Sequence, residues 1–424
     1  MILPPDKKGM QSQSLFTTQL LLNWIVRILF FTSLAALLPT FPTFLTQIGG
    51  NKSQIGIVMS SFAFGVLVFR PMVGKQLDSR GRKAVLIAGI LIFIAAPILY
   101  SFIHSIPVLL PIRVFHGLGL AAFGTASITL ITDAAPDEKR GEALSYTGIV
   151  NTIAFTMGPL VGSFVSEYFG YTTLFMFVAA MSGACLLVAL FIRETKSDHK
   201  TEITQKYWQV IKHRKILVAG VIILMIGLTH GGVMFYLPIF LEENQIAVNI
   251  GLFFSVYGVA AFAIRLVIGR MTDKMGRGPF MLFAILSLMM GVFTLSHAAG
   301  LVALMFAATI YGLGFGASQP TLAALVADNT TKSTRGKIFS FYYGGFDLGI
   351  AVSGVVLGAI AEIYGIRTMF LGCVGLSTLA LLVFTTQMET DVNQSLKSSL
   401  SFKKEKKKVS GPAPGPEPKP VPGP

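Results

Sequence analysis

Apolar residues in this chain fall into long runs divided by short polar stretches. About twelve such runs, each of roughly 20 residues, lie between residues 20 and 387. At 1.5 Å per residue, about 20 residues cover the hydrocarbon thickness of a bilayer. Backbone N–H and C=O groups in hydrocarbon must pair within their own segment, so each run is expected to be a helix. Runs of alternating apolar and polar residues, the mark of a membrane barrel, are absent. The pattern therefore predicts an all-α integral membrane protein with twelve transmembrane helices.

Composition agrees. The chain has 424 residues, 53% hydrophobic and only 13% charged, too little charge to cover a soluble domain of that size. Its net charge of +14 is not gathered on one face, as a nucleic-acid surface would be. The cations sit in alternate loops. Lys75, Arg80, Arg82 and Lys83 lie between runs two and three, and Lys139 and Arg140 between four and five. Arg270, Lys274 and Arg277 follow run eight, and Lys332, Arg335 and Lys337 follow run ten. The other loops hold little beyond Lys52 and Arg367. This bias predicts a multi-pass cell-membrane protein with both termini cytoplasmic. Cys185 and Cys373 lie inside apolar runs, with no disulfide or zinc spacing. No nucleotide-binding loop or nucleophile elbow is present, so an enzyme is not expected, nor a metal or cofactor.

The chain repeats itself. Arg70, Gly74, Asp78, Gly81 and Arg82 return as Arg265, Gly269, Asp273, Gly276 and Arg277, always 195 residues on. Gly117, Gly119, Asp133, Arg140, Glu167 and Gly170 return at the same offset. Within run five, Gly148, Gly158 and Gly162 match Gly344, Gly354 and Gly358 at an offset of 196, which suggests a slip of one residue. Residues 20–192 and 216–387 thus read as two six-helix bundles, inserted in the same orientation and related by an axis along the membrane normal. Residues 1–19 form a cytoplasmic N-terminal segment and 193–215 a charged cytoplasmic linker. Residues 388–424 form a basic, Pro/Gly-rich tail, expected to be disordered, with lysines placed for anionic lipid head groups.

Gly74-x-x-x-Asp78-x-x-Gly81-Arg82-Lys83 resembles the signature loop of the major facilitator superfamily, with Ser79 where the family commonly has Arg. Two further stretches resemble its bacterial drug:proton antiporter branch. One is Arg113-Val-Phe-His116-Gly117-Leu-Gly119, with His116 where Gln is usual. The other surrounds Gly158-Pro159 and Gly162, with Ala154 and Ser163 replacing glycines. The resemblance implies two six-helix bundles working by alternating access, with helices one, four, seven and ten lining the cavity. It implies a monomer that exports a small molecule against protons.

Positions shared by the two halves serve what both halves do, which is to fold and to rock. Arg70, Gly74, Asp78, Gly81, Arg82, Asp133 and Arg140, with Asp273, Arg277 and Asp328, are expected to form a conformational latch. Asp347, matched to Asn151 at the offset of 196, is expected on a packing seam with Arg70 as its partner. Gly158, Pro159 and Gly162 form a helix-bend motif found in one half only. Positions that break the repeat are candidates for substrate and proton chemistry: Arg113, His116 and His230, whose mates are Ala308, Tyr311 and Leu34. Intramembrane charge is costly unless it has a task, and histidine changes charge near neutral pH. By the resemblance all three face the cavity. Arg27 and Gln319 are further candidates, Arg27 being placed to snorkel towards the interface. An importer or facilitator for a sugar or organic anion, or a membrane receptor without flux, would fit the same architecture. The lack of an acidic residue in run one weakens the drug:proton analogy.

Overall fold

The computed structural model describes residues 15–136, 139–195, 214–328, 330 and 335–387. The basic tail and most of the linker lie outside the described residues. The first half holds α1 (Thr18–Gln47), α2 (Lys52–Arg80), α3 (Arg82–Phe102), α4 (Ile106–Ala134) and one unbroken 50-residue stretch, Arg140–Ala189. Gly170 interrupts that stretch with non-helical angles (φ 82°, ψ 170°), and its two parts are labelled α5 (140–169) and α6 (171–189). The second half holds α7 (Arg214–Glu243), α8 (Ile250–Met275), α9 (Gly278–Ser296), α10 (Leu301–Asp328), α11 (Arg335–Tyr364) and α12 (Ile366–Gln387).

Eleven continuous helices long and apolar enough to cross a membrane are thus found among the described residues, where the sequence predicts twelve runs. The difference lies in Arg140–Ala189, which joins runs five and six. The repeat shows what Gly170 does. Its mate Gly365, at φ 83°, stands between the end of α11 at Tyr364 and the start of α12 at Ile366. Gly81 and Gly276 form a second matched pair, at φ 91° and 84°, each ending one helix of its half. Only glycine reaches these angles without strain.

The two halves use the same internal packing. α1 lies on α5 and α7 on α11; α2 lies on α4 and α8 on α10; α3 and α9 cover α4 and α10. The halves meet along α2/α11 and α5/α8, with α1 touching α7. Lipid is as apolar as a leucine side chain, so helix association rests on close van der Waals fit and small residues. Gly56 on α2 meets the backbone of Gly354 on α11 so closely that a Cβ on either would collide with the other's carbonyl oxygen.

This contact corrects the register read from the glycines. Gly158 and Gly162 pack inside their own half, on Thr32, Ala35 and Ala36 of α1, whereas Gly354 and Gly358 face the other half, on Gly56 and Lys52. The residue on α11 that meets α7 as Gly158 meets α1 is Ser353, against Gly231, which restores the offset of 195. The extra glycines fill different contacts, so the apparent slip is not a shift of the helix.

Substitution to alanine should separate these glycines by their surroundings. Gly56→Ala should lower the thermal unfolding midpoint of the purified protein, since overpacking typically costs about 1–3 kcal/mol. Gly74→Ala should not lower it, because nothing lies within 4 Å of a Cβ at Gly74 and alanine suits a helix interior better than glycine. Equal midpoints for the two variants would contradict the close seam.

Candidate functional site

Among the described residues, the charged side chains well inside the spans are Arg27, Arg70, Arg113, Arg265 and Asp347. Four cations thus share the membrane interior with one carboxylate. Arg27 is 4% exposed. Its Nε donates to Asn151 Oδ1 at 2.7 Å and its Nη1 to Ser127 Oγ at 3.0 Å, with the guanidinium 4.8 Å from the Phe31 ring centroid. The expectation that it snorkels is therefore corrected. Side-chain oxygens on α4 and α5 satisfy it within the bundle, so it has no need to reach the interface.

Arg113 is 2% exposed and lies over the Phe41 ring, 3.6 Å from its centroid. Nη2 contacts the Met59 sulfur at 3.0 Å, and Nε has no hydrogen-bond partner. His116, one turn on, is fully buried among Phe62, Phe93 and Tyr100. Its Nδ1 meets the Tyr100 hydroxyl at 3.1 Å, while Nε2 is unpartnered. Both residues therefore face α1, α2 and α3 inside the first bundle. This corrects the placement on the cavity side: the helix-four face that carries them is the one that packs on α2 and α3.

His230 is set differently. It stacks on Phe315 at 4.1 Å, and its Nδ1 meets the Tyr311 hydroxyl at 3.0 Å. Tyr257 on α8 and Phe346 on α11 complete an aromatic enclosure. Tyr311 is the repeat mate of His116. Each half thus carries one His–Tyr pair, assembled from different positions. Gln319 is joined to this half through its backbone oxygen, which accepts from the Tyr342 hydroxyl at 3.2 Å.

Polar contacts between the halves gather at two levels, with Ser255 Oγ donating to the Thr156 carbonyl at 3.5 Å between them. Arg70 Nη1 lies 2.6 Å from Asp347 Oδ2, joining α2 to α11. The related arm joins α8 to α5, where Arg265 Nη1 donates to Thr152 Oγ1 at 3.2 Å and Nε leans on the Gly316 carbonyl at 3.4 Å. Arg70 and Arg265 are repeat mates, so the true counterpart of Asp347 is Thr152, again 195 residues away, and not Asn151. Nearer the other end, Lys52 Nζ pairs with Glu243 at 2.7 Å and the Lys52 N–H donates to Glu362 at 2.8 Å. The Tyr236 hydroxyl donates to the carbonyls of Lys52 and Gly354. On the second arm Asn249 Nδ2 donates to Glu167 at 2.6 Å. Glu167 and Glu362 are repeat mates, and each meets the start of a helix in the opposite half, where a negative charge suits the helix dipole.

The signature loop is held mainly from the linker side. Gly81 turns the chain, and the Glu194 carboxylate accepts the N–H groups of Arg82 and Lys83 at 2.8 and 2.9 Å. Arg82 Nε stands 3.5 Å from Asp133, which also accepts from Thr195 Oγ1 at 3.1 Å. Arg140 Nε donates to the Thr132 carbonyl. In the second half Arg277 pairs with Asp328 and, at 3.5 Å, with Asp273. Asp78 lies in α2, but its side chain is outside the described atoms. Sequence reasoning missed Glu194, Tyr100 and the partners of Lys52. Glu194 offered a signal, as a carboxylate just past a helix that ends beside the α3 N-terminus.

The family model of the Major Facilitator Superfamily matches residues 24–301 and 245–413. The staphylopine export protein of Staphylococcus aureus is 24% identical over 363 residues, 82% of this chain and 91% of that protein. The multi-drug resistance efflux pump PmrA of Streptococcus pneumoniae is 27% identical over 375 residues, 84% of this chain and 93% of that one. Among solved structures, the nucleoside transporter NupG superposes with a TM-score of 0.75 at 15% identity, covering 88% of this chain and 99% of that one, a likeness of fold.

Removal of the Glu194 carboxylate should fray the start of α3. Loss of a helix N-cap costs about 1 kcal/mol. In Glu194→Ala, amide hydrogen exchange at Arg82 and Lys83 should therefore quicken roughly fivefold, while exchange at the start of α2, capped by Asn51, stays as in the parent. Unchanged rates at Arg82 and Lys83 would show that the cap contributes nothing.

Proposed function

The chain belongs to the major facilitator superfamily, and from that premise we propose that it is a proton-coupled exporter of a small molecule, working by alternating access. The observation that carries this reading is the seam. Two bundles of matched packing meet along α2/α11 and α5/α8 through close glycine contacts and a few ion pairs and hydrogen bonds, and the polar links can be broken singly. Export rather than import follows the relatives, two of which are named for export or efflux.

In this reading Arg140–Ala189 crosses the membrane twice and turns at Gly170 as α11 and α12 turn at Gly365, which makes twelve crossings. The even count and the basic loops put both termini in the cytoplasm. Lys52, Glu243 and Glu362 then close the outer side, while Arg70, Asp347 and the Arg82–Asp133 and Arg277–Asp328 groups form the inner latch. About 1.4 kcal/mol shifts a two-state population tenfold, so the loss of one such contact is enough to bias the cycle. His230, on the Tyr311 hydroxyl, is the group assigned to proton handling.

The test is uptake of labelled compounds into everted membrane vesicles. A pH gradient, acid inside, should drive accumulation, and its collapse by a protonophore should reduce accumulation at least about tenfold. His230→Ala should lose the gradient-driven component and keep downhill exchange. Accumulation that is indifferent to the gradient would remove proton coupling. Uptake in right-side-out vesicles alone would make the protein an importer.

A further inference from the structure

The seam carries an asymmetry that the repeat makes visible. At its two arms, Arg70 and Arg265 occupy equivalent positions on α2 and α8. Arg70 finds a carboxylate, Asp347, on the facing helix, whereas Arg265 finds the hydroxyl of Thr152 in the same place. The neighbouring residue on that turn, Asn151, accepts from Arg27, which comes from α1. Two guanidinium groups, one from each half, thus converge on one turn of α5. They are at one depth: Arg27, Asn151 and Arg265 each stand about 14–16 Å from the basic-loop end of their helices. Among the described residues neither arginine meets a carboxylate.

Neutral oxygens meet the hydrogen-bonding needs of these arginines but supply no counter-charge. A guanidinium fork matches a carboxylate in shape and pairs with it through two parallel bonds. The charge balance of the spans points the same way, since Asp347 answers one of four interior arginines. Arg27 is held in the bundle and cannot be relieved by bulk water, being 4% exposed.

We propose that the substrate is an organic carboxylate, whose anionic group is held between Arg27 and Arg265 at the Asn151–Thr152 turn. This deepens the exporter reading and rests on it. The two arginines belong to different halves, so the anion binds best when the halves are apposed at this depth. A ligand drives a conformational change only by such a difference in affinity. The carboxylate does at the α5/α8 arm what Asp347 does at the α2/α11 arm.

The experiment uses the purified full chain in lipid nanodiscs and reads thermal unfolding. The probes are benzoate, phthalate, citrate and carboxyfluorescein, set against benzamide, phthalamide and the cation rhodamine 123. At least one carboxylate should raise the midpoint, and the amides and rhodamine 123 should not. Arg27→Gln and Arg265→Gln should weaken that carboxylate's binding roughly tenfold or more, with part retained in Arg27→Lys. Thr152→Asp guards against a mere folding defect, because it supplies an internal carboxylate. It should raise the resting midpoint and abolish the response to carboxylates. No response to any carboxylate, a response to rhodamine 123 in its place, or a shift that survives in both glutamine variants would overturn the proposal. Gradient-driven flux of rhodamine 123 without a carboxylate response would leave the exporter standing and remove the anion site. A carboxylate response without gradient-driven flux in vesicles would do the reverse.

Discussion

Hydrocarbon offers a polar group no hydrogen bond, so each donor, acceptor and charge inside the membrane has to find its partner within the protein. The helices follow from this at the level of the backbone. The same constraint governs the side chains. Thr40, Thr125, Thr147 and Thr152 return their hydroxyls to carbonyls one turn back, and Tyr236 meets the carbonyl of Gly354 in its own half and that of Lys52 across the seam. Arginine cannot shed its proton, so each interior arginine shows how the protein meets a charge it cannot neutralise: aromatic faces at Arg113, amide and hydroxyl at Arg27, a carboxylate at Arg70.

That constraint also fixes where the halves may separate. Apolar contact between helices gives little advantage over contact with lipid, so the strength of a seam lies in close fit and polar links. Inside each half, α1 on α5 and α7 on α11 are joined by glycine-backed fits. Between the halves both arms carry close glycine approaches, Gly56 on Gly354 at α2/α11 and Gly251 and Gly258 on Leu160 and Thr156 at α5/α8, and polar links join them. Links of that kind can be made and broken while the bundles keep their shape.

Much of the architecture was legible in the sequence because it rests on period and spacing. The apolar runs marked the helices, and the offset of 195 marked the two halves down to their left-handed glycines at Gly81, Gly276, Gly170 and Gly365. What failed was partner choice. Glycine identity suggested that Asp347 answers Asn151, but a glycine stripe can serve different neighbours in two copies, and the contacts of Arg70 and Arg265 return the match to Thr152. Arg27 looked free to snorkel because nothing in its own helix would hold it; Ser127 and Asn151 are 100 and 124 residues away. The same holds for His116, whose enclosure by Phe62, Phe93 and Tyr100 depends on which face of α4 turns inward. In a helix of mostly apolar residues the hydrophobic pattern does not choose that face.

A pseudo-symmetric chain has two seams that would be equal if its halves were identical. The departure at one position changes this. With Asp347 on one side, the α2/α11 arm supplies its own counter-charge to Arg70. With Thr152 on the other, the α5/α8 arm holds Arg265 by a neutral hydroxyl and a long contact to the Gly316 carbonyl. The energy of the second arm therefore depends on what else is present near Arg265 and Arg27, while that of the first does not. Coupling between cargo and conformation requires such a conditional term, and the proposed anion site supplies it at a single turn of α5.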